Sequence, residues 1–249
     1  MKLKVVEDYQ AMSRAAADLI IDKVRMNPEI TLGLATGGTP KGTYQNLIKD
    51  HQLNGTSYGS VKTFNLDEYI GIPIRDPNSY RYYMNTYLFD HIDIDKSNTF
   101  VPRGNAENPT EECVRYENSL LVHGGVDLQI LGIGRNGHIG FNEPGTSFSS
   151  KTHIVSLAQT TREANSRYFP RIEDVPKQAI TMGIGTIMKS NEILLLISGE
   201  RKQEAVKRLL TGEVHESFPA SILNQHPNVT VIVDHAASAL IEPHLFLKL

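Results

Sequence analysis

The stretch Asp127–Pro144, DLQILGIGRNGHIGFNEP, constrains the fold more than any other part of the chain. Leu128–Gly132 is a short apolar run that predicts a buried strand, and a loop with glycines at 132, 134, 137 and 140 follows it. An α/β protein brings strands in this way to the carboxyl edge of its sheet, where ligands bind. Glycine lets the backbone bend sharply and approach a ligand closely. The loop carries Arg135, Asn136, His138, Asn142 and Glu143. A histidine between an amide and a carboxylate suits acid/base work, because a carboxylate can fix the imidazole tautomer and raise its basicity. Gly132-x-Gly134-x-x-Gly137 has the dinucleotide spacing, but that motif needs a helix starting within the glycines and an acidic residue about 20 positions on. Asn142-Glu143-Pro144-Gly145 breaks any helix, and the positions around Gln159 are not acidic, so no NAD site is expected. No metal is expected either: His138 and Glu143 stand five apart on an irregular loop, without a further His or Cys cluster.

The strand–loop–helix theme recurs along the chain. Leu3–Val6 predicts a strand, Asp8 a cap, and the helix to Met26 has Met12, Ala15, Ala16, Leu19, Ile20 and Val24 on its apolar face. Thr31–Ala35 predicts the next strand, running into Thr36-Gly37-Gly38-Thr39-Pro40, with Thr39 as helix cap and Pro40 in the first turn. Small polar residues before a helix N-terminus favour an anion, through free N–H groups and the helix dipole. Thr39 stands where a Walker A loop requires Lys. Val61–Leu66 predicts a strand with Asp67-Glu68 at its end, and of two adjacent carboxylates only one would face a ligand. Tyr80, Tyr83, Met84 and Tyr87 recur at helical spacing and read as core or subunit contact. Asn108-Pro109-Thr110-Glu111 reads as a capped helix start, with Gly124-Gly125 as its stop. Thr160–Phe169 predicts a helix carrying Arg167; Gln178–Met182, Glu192–Ile197 and Val229–Val233 predict strands, the last followed by a helix from His235. Ser198–Lys202 repeats the glycine turn, placing Lys202 in a first helical turn against the dipole preference for anions, a local rule broken as at functional sites.

This alternation predicts a single doubly wound α/β domain over residues 1–249, Rossmann-like, with a mostly parallel sheet. The polar loops at 36–39, 67, 135–143 and 198–202 should then gather on one edge, pairing an anion site with groups for proton transfer. A small phosphorylated metabolite fits that combination. A net charge of −3, with pI near 6.3, gives no reason to expect nucleic acid or an anionic membrane. The absence of a signal-like N-terminus or a long apolar run, with one cysteine (Cys113), fits a cytoplasmic protein. Monomer and homo-oligomer are equally compatible with the sequence.

LGLATGGTP, FNLDEY, LGIGRNGHIGFNEP, REANSRYF and SGERK, in this order over most of the chain, closely resemble the glucosamine-6-phosphate deaminases. The resemblance implies conversion of D-glucosamine 6-phosphate and water to D-fructose 6-phosphate and ammonia, without a cofactor. It also implies the fold shared with phosphogluconolactonases and ribose-phosphate isomerases. Under it, Asp67 is the base moving a proton between C2 and C1, and His138 opens the pyranose ring, flanked by Glu143 and Asn136. Many family members have Asp at this last position; Asn supplies no charge, so Glu143 must provide most of the electrostatic support, which bears on the pH profile of ring opening. Thr36, Gly37, Gly38, Thr39, Arg167 and Lys202 match the residues that hold the phosphate. Some relatives respond to N-acetylglucosamine 6-phosphate through two basic side chains two residues apart after FNEP. The matching positions are His153 and Val155, and the chain stops at Leu249 without the longer tail of regulated relatives, so a non-allosteric form is expected. The alternatives are a phosphogluconolactonase-like hydrolase, lacking the aldose–ketose acid/base set, and a non-enzymatic sugar-phosphate sensor, which would need a DNA-binding segment.

Overall fold

The computed structural model describes residues 1–157, 159, 162, 163, 166, 169 and 171–241. Its elements in order are β1 (Lys2–Val6), α1 (Tyr9–Met26), β2 (Thr31–Leu34), α2 (Gly38–Asn54), β3 (Lys62–Asn65), β4 (Asp67–Tyr69), α3 (Tyr80–Tyr87) and β5 (Thr99–Phe100). There follow α4 (Pro109–Val122), β6 (Leu128–Gly132), β7 (His153–Ser156), β8 (Gln178–Thr181), α5 (Ile184–Ile187), β9 (Glu192–Ile197), α6 (Gln203–Thr211), β10 (Val229–Asp234) and α7 (His235–Ser238). Seven strands form one sheet in the order β1-β10-β9-β6-β2-β3-β5, with every neighbouring pair parallel. The chain leaves β2 towards β5 and leaves β6 towards β10, so the winding reverses between β2 and β6. An open α/β sheet forms its ligand crevice at such a reversal, outside the carboxyl ends of the strands.

Period-two alternation builds the two layers. Along β9, Leu194 and Leu196 face a cluster with Met12, Ile20 and Tyr44 of α1 and α2. Ile193, Leu195 and Ile197 face the opposite cluster with Tyr116 and Leu120 of α4 and Val206 and Leu209 of α6. Strands covered on both faces read as continuous apolar runs, as EILLLI does. The caps of α1 and α4 form as expected: Asp8 accepts from Ala11 N–H, and Asn108 from those of Thr110 and Glu111.

Several expectations are corrected. The strand read as Val61–Leu66 divides at Leu66, whose N–H donates to Leu34 O at 3.0 Å while its carbonyl accepts from Met182 N at 2.6 Å. Beyond it Asp67–Tyr69 enters a second sheet, β4-β8-β7, which is antiparallel. The strand read at Gln178–Met182 therefore belongs to this small sheet, pairing Thr181 with both Asp67 and His153. Helix α2 starts at Gly38 with Gly37 as its cap, not Thr39, because φ of +94° at Gly37 already turns the chain into the helix. The aromatic stripe forms the helix Tyr80–Tyr87, capped by Ser79. The helix expected over Thr160–Phe169, with Arg167, lies largely outside the described residues. Among those residues no helix is long and apolar enough to cross a membrane.

Candidate active site

A cavity of about 730 Å³ opens at the winding reversal, lined by Thr36, Gly37, Gly38, Thr39, Asp67, Tyr80, Arg135, Asn136, His138, Arg201 and Lys202, among others. The loops after β2, β3, β6 and β9 thus meet as the alternation implied. Glu143 stands behind Asn136, and Arg167 lies outside the described residues.

Asp67 and Glu68 point to opposite sides of β4. Asp67 is buried against the cavity; Glu68 borders a separate cavity of about 290 Å³ with Arg81, Arg103 and Arg115. Glu68 accepts from the N–H groups of Tyr69, Tyr80 and Arg81 at 2.9, 2.9 and 3.0 Å, which ties the start of α3 to β4. Burial, then the negative charge of Glu68, pushes the Asp67 carboxyl up to about 8. Burial raises Glu68 to about 7, opposed by the three N–H groups and by Arg81.

The loop after β6 makes a chain of three groups. Asn136 Nδ2 donates to Glu143 Oε2 at 2.6 Å, and Asn136 Oδ1 lies 2.8 Å from His138 Nδ1. A carboxylate only accepts, so the Asn136 amide must turn its NH₂ to Glu143 and its oxygen to His138. His138 Nδ1 therefore carries the hydrogen, and Nε2 keeps the lone pair for proton transfer. Glu143 Oε2 itself lies 3.6 Å from Nδ1. Gly134 makes room for the ring: a Cβ there would lie 2.2 Å from His138 Nδ1. Asn142 anchors the turn through Nδ2, donating to Ile139 O and Met182 O at 2.8 and 2.9 Å.

Lys202 caps α6 at the end of a 3₁₀ turn, and its Nζ donates to Ile133 O at 2.7 Å. Burial, with Arg135 nearby, lowers its pKa. Asp234, at the end of β10, accepts from Ser198 Oγ and Gly199 N and so fixes the turn that carries Lys202. Tyr80, read from its spacing as core or subunit contact, packs against the Tyr69–Phe141 cluster and also lines the cavity, where Arg135 and Arg201 join it as cations that the sequence reading gave no role. Arg135 was legible as the neighbour of Asn136; Tyr80 had no local signal apart from the stripe. Among the described residues no group of three His, Cys, Asp or Glu side chains is arranged to hold a metal ion.

The reversal of winding, with a helix N-terminus and cations lining the same cavity as a carboxyl and an imidazole, defines an α/β protein with a cleft of the size and polarity that suit a small anionic metabolite. The chain belongs to the glucosamine-6-phosphate isomerase/6-phosphogluconolactonase family, whose sequence profile matches residues 7–232. It is 60% identical over 240 residues to a glucosamine-6-phosphate deaminase of Shouchella clausii, covering 96% of this chain and 97% of that one. A solved structure described as a monomeric glucosamine-6-phosphate deaminase superposes with a TM-score of 0.95 at 53% identity, covering 96% of this chain and 100% of the other. The 6-phosphogluconolactonase of Trypanosoma brucei shares the fold, with a TM-score of 0.77 at 20% identity, covering 97% of this chain and 98% of the other.

Proposed function

We propose that this chain converts D-glucosamine 6-phosphate and water to D-fructose 6-phosphate and ammonia, as a cytoplasmic enzyme of amino-sugar breakdown acting without a cofactor. The carrying observation is that Asp67, His138 and Asn136, with Glu143 hydrogen-bonded behind Asn136, share one cavity with the helix N-terminus at Thr36–Thr39 and with Lys202. The phosphate binds at Thr36–Thr39 and Lys202, joined by Arg167. His138, through Nε2, moves the proton between O1 and O5 that opens the ring. The exposed C1 carbonyl acidifies the C2 hydrogen, and ionised Asp67 takes that proton and returns it to C1. The resulting C2 imine is hydrolysed, releasing ammonia. The substrate ammonium, brought beside Asp67, favours the ionised carboxylate over the neutral form that burial prefers. Phosphate binding away from the reacting carbons supplies the energy that orients the sugar. Coupled detection of fructose 6-phosphate and ammonia in equal amounts from glucosamine 6-phosphate tests the proposal; hydrolysis of 6-phosphogluconolactone without ammonia release from the amino sugar would overturn it.

A further inference from the structure

Three tyrosines from separate elements hold the backbone carbonyls of the loop between β2 and α2. Tyr44 Oη donates to Ala35 O at 2.6 Å, Tyr83 Oη to Gly37 O at 2.6 Å, and Tyr9 Oη to Gly38 O at 2.9 Å. Tyr9 Oη also accepts from Gly42 N at 2.8 Å, so one hydroxyl joins the start of α2 to its next turn. In a planar trans peptide the C=O of one residue and the N–H of the next point in opposite directions. Fixing the carbonyls of Ala35, Gly37 and Gly38 therefore fixes the N–H groups of Thr36, Gly38 and Thr39 with the reverse heading. These three residues line the cavity.

The Gly37–Gly38 peptide most needs such a restraint. Glycine enters positive φ as readily as negative, and Gly37 already stands at +94°. A peptide between two glycines can turn over at little cost, which would aim a carbonyl oxygen at the anion. We propose that Tyr83 and Tyr9 are positioning residues for the substrate phosphate: they hold the carbonyls of Gly37 and Gly38 and thereby present the N–H groups of Gly38 and Thr39 to the phosphate oxygens. Tyr44 does the same for Thr36 from the buried core. Tyr83 lies on α3, whose first residue Tyr80 is bound by Glu68, so the helix that restrains the anion loop is anchored to the strand carrying Asp67.

The inference rests on the reading of residues 36–39 as the phosphate loop. Tyr83→Phe, Tyr9→Phe and the double variant keep the rings and remove only the hydroxyls. Tyr44→Phe is unsuitable, because it would strand the buried Ala35 carbonyl. The dissociation constant of inorganic phosphate, measured by calorimetry, should rise about three- to tenfold in each single variant and further in the double one, the effect of weakening one hydrogen bond. KM for glucosamine 6-phosphate should rise in parallel, by more than kcat falls, while the melting temperature moves little. Calorimetry separates this inference from the proposed reaction: a wild-type protein that binds phosphate without releasing ammonia would fail as a deaminase and still report on the tyrosines. Wild-type protein that binds no phosphate, or a double variant with unchanged phosphate affinity, would overturn the inference.

Discussion

Asn136, not Glu143, is the hydrogen-bond partner of His138: its carbonyl oxygen lies 2.8 Å from Nδ1, and the carboxylate stands behind it at 3.6 Å. The tautomer is thus set by a neutral amide whose own orientation is set by a charge. Asn136→Ala removes the acceptor, whereas Glu143→Gln can keep the contact and removes only the charge. Turnover of the closed pyranose should fall about 10²-fold in Asn136→Ala, the usual scale for a mispositioned acid/base group, and less in Glu143→Gln. An open-chain substrate analogue should recover most of both losses. Equal losses on the two substrates would sever His138 from ring opening.

Asp67 supplies the pH prediction. As a base it must be ionised, so kcat/KM should rise with pH towards the free-enzyme value of about 8. Stability should run the other way. The folded carboxyl binds its proton more tightly than the unfolded one, so the contribution is complete below the ordinary aspartate value of 3.8 and is lost as pH rises through about 8. Glu68, raised to about 7, adds in the same direction. Asp67→Asn should lower turnover roughly 10²-fold or more and block deuterium entry at C1, yet flatten the decline of melting temperature between pH 5 and 9. A variant that melts as the wild type does at every pH would contradict the burial argument.

Lys202→Ala should raise KM for the phosphorylated sugar about tenfold to a hundredfold, the value of a charge-assisted contact, with a smaller change in kcat. Its Nζ already holds Ile133 O, so the ammonium is placed before ligand arrives. An unchanged KM would make Lys202 a structural tether for the β6 loop.

Regulation by N-acetylglucosamine 6-phosphate is predicted to be absent. His153 Nδ1 is engaged with Lys151 O at 2.8 Å, and Val155 packs beside the Tyr69–Phe141 cluster, so neither presents a fixed cation to an effector phosphate. A ligand without preference for one state cannot shift an equilibrium. Initial rates against glucosamine 6-phosphate should be hyperbolic with or without millimolar effector; a sigmoid made hyperbolic by the effector would refute this.

Much of the large sheet was legible because strands such as EILLLI are buried on both faces and end in polar glycine turns. The gathering of the loops followed from their common place after parallel strands. The small sheet was not legible. HIVS is only four residues long and largely half-buried, and the antiparallel pairing of Gln178–Thr181 depends on where Asp67–Tyr69 goes after Leu66. The cap at Gly37 was misplaced because Thr39 has the better side chain for capping, while the backbone turn there needs positive φ. Tyr9 and Tyr83 looked like helix residues, since their partners are carbonyls 29 and 46 positions away.

The step at Leu66 divides the labour of the protein between two scaffolds. The loop between β2 and α2 and Lys202 hang from the seven-stranded sheet, whereas Asp67 hangs from the three-stranded one, and Leu66 is bonded to both. On the proposed roles, the distance between phosphate and reacting carbon is a relation between sheets. On those roles, a substitution in the small sheet moves Asp67 relative to the sugar while leaving the β2–α2 loop and Lys202 in place.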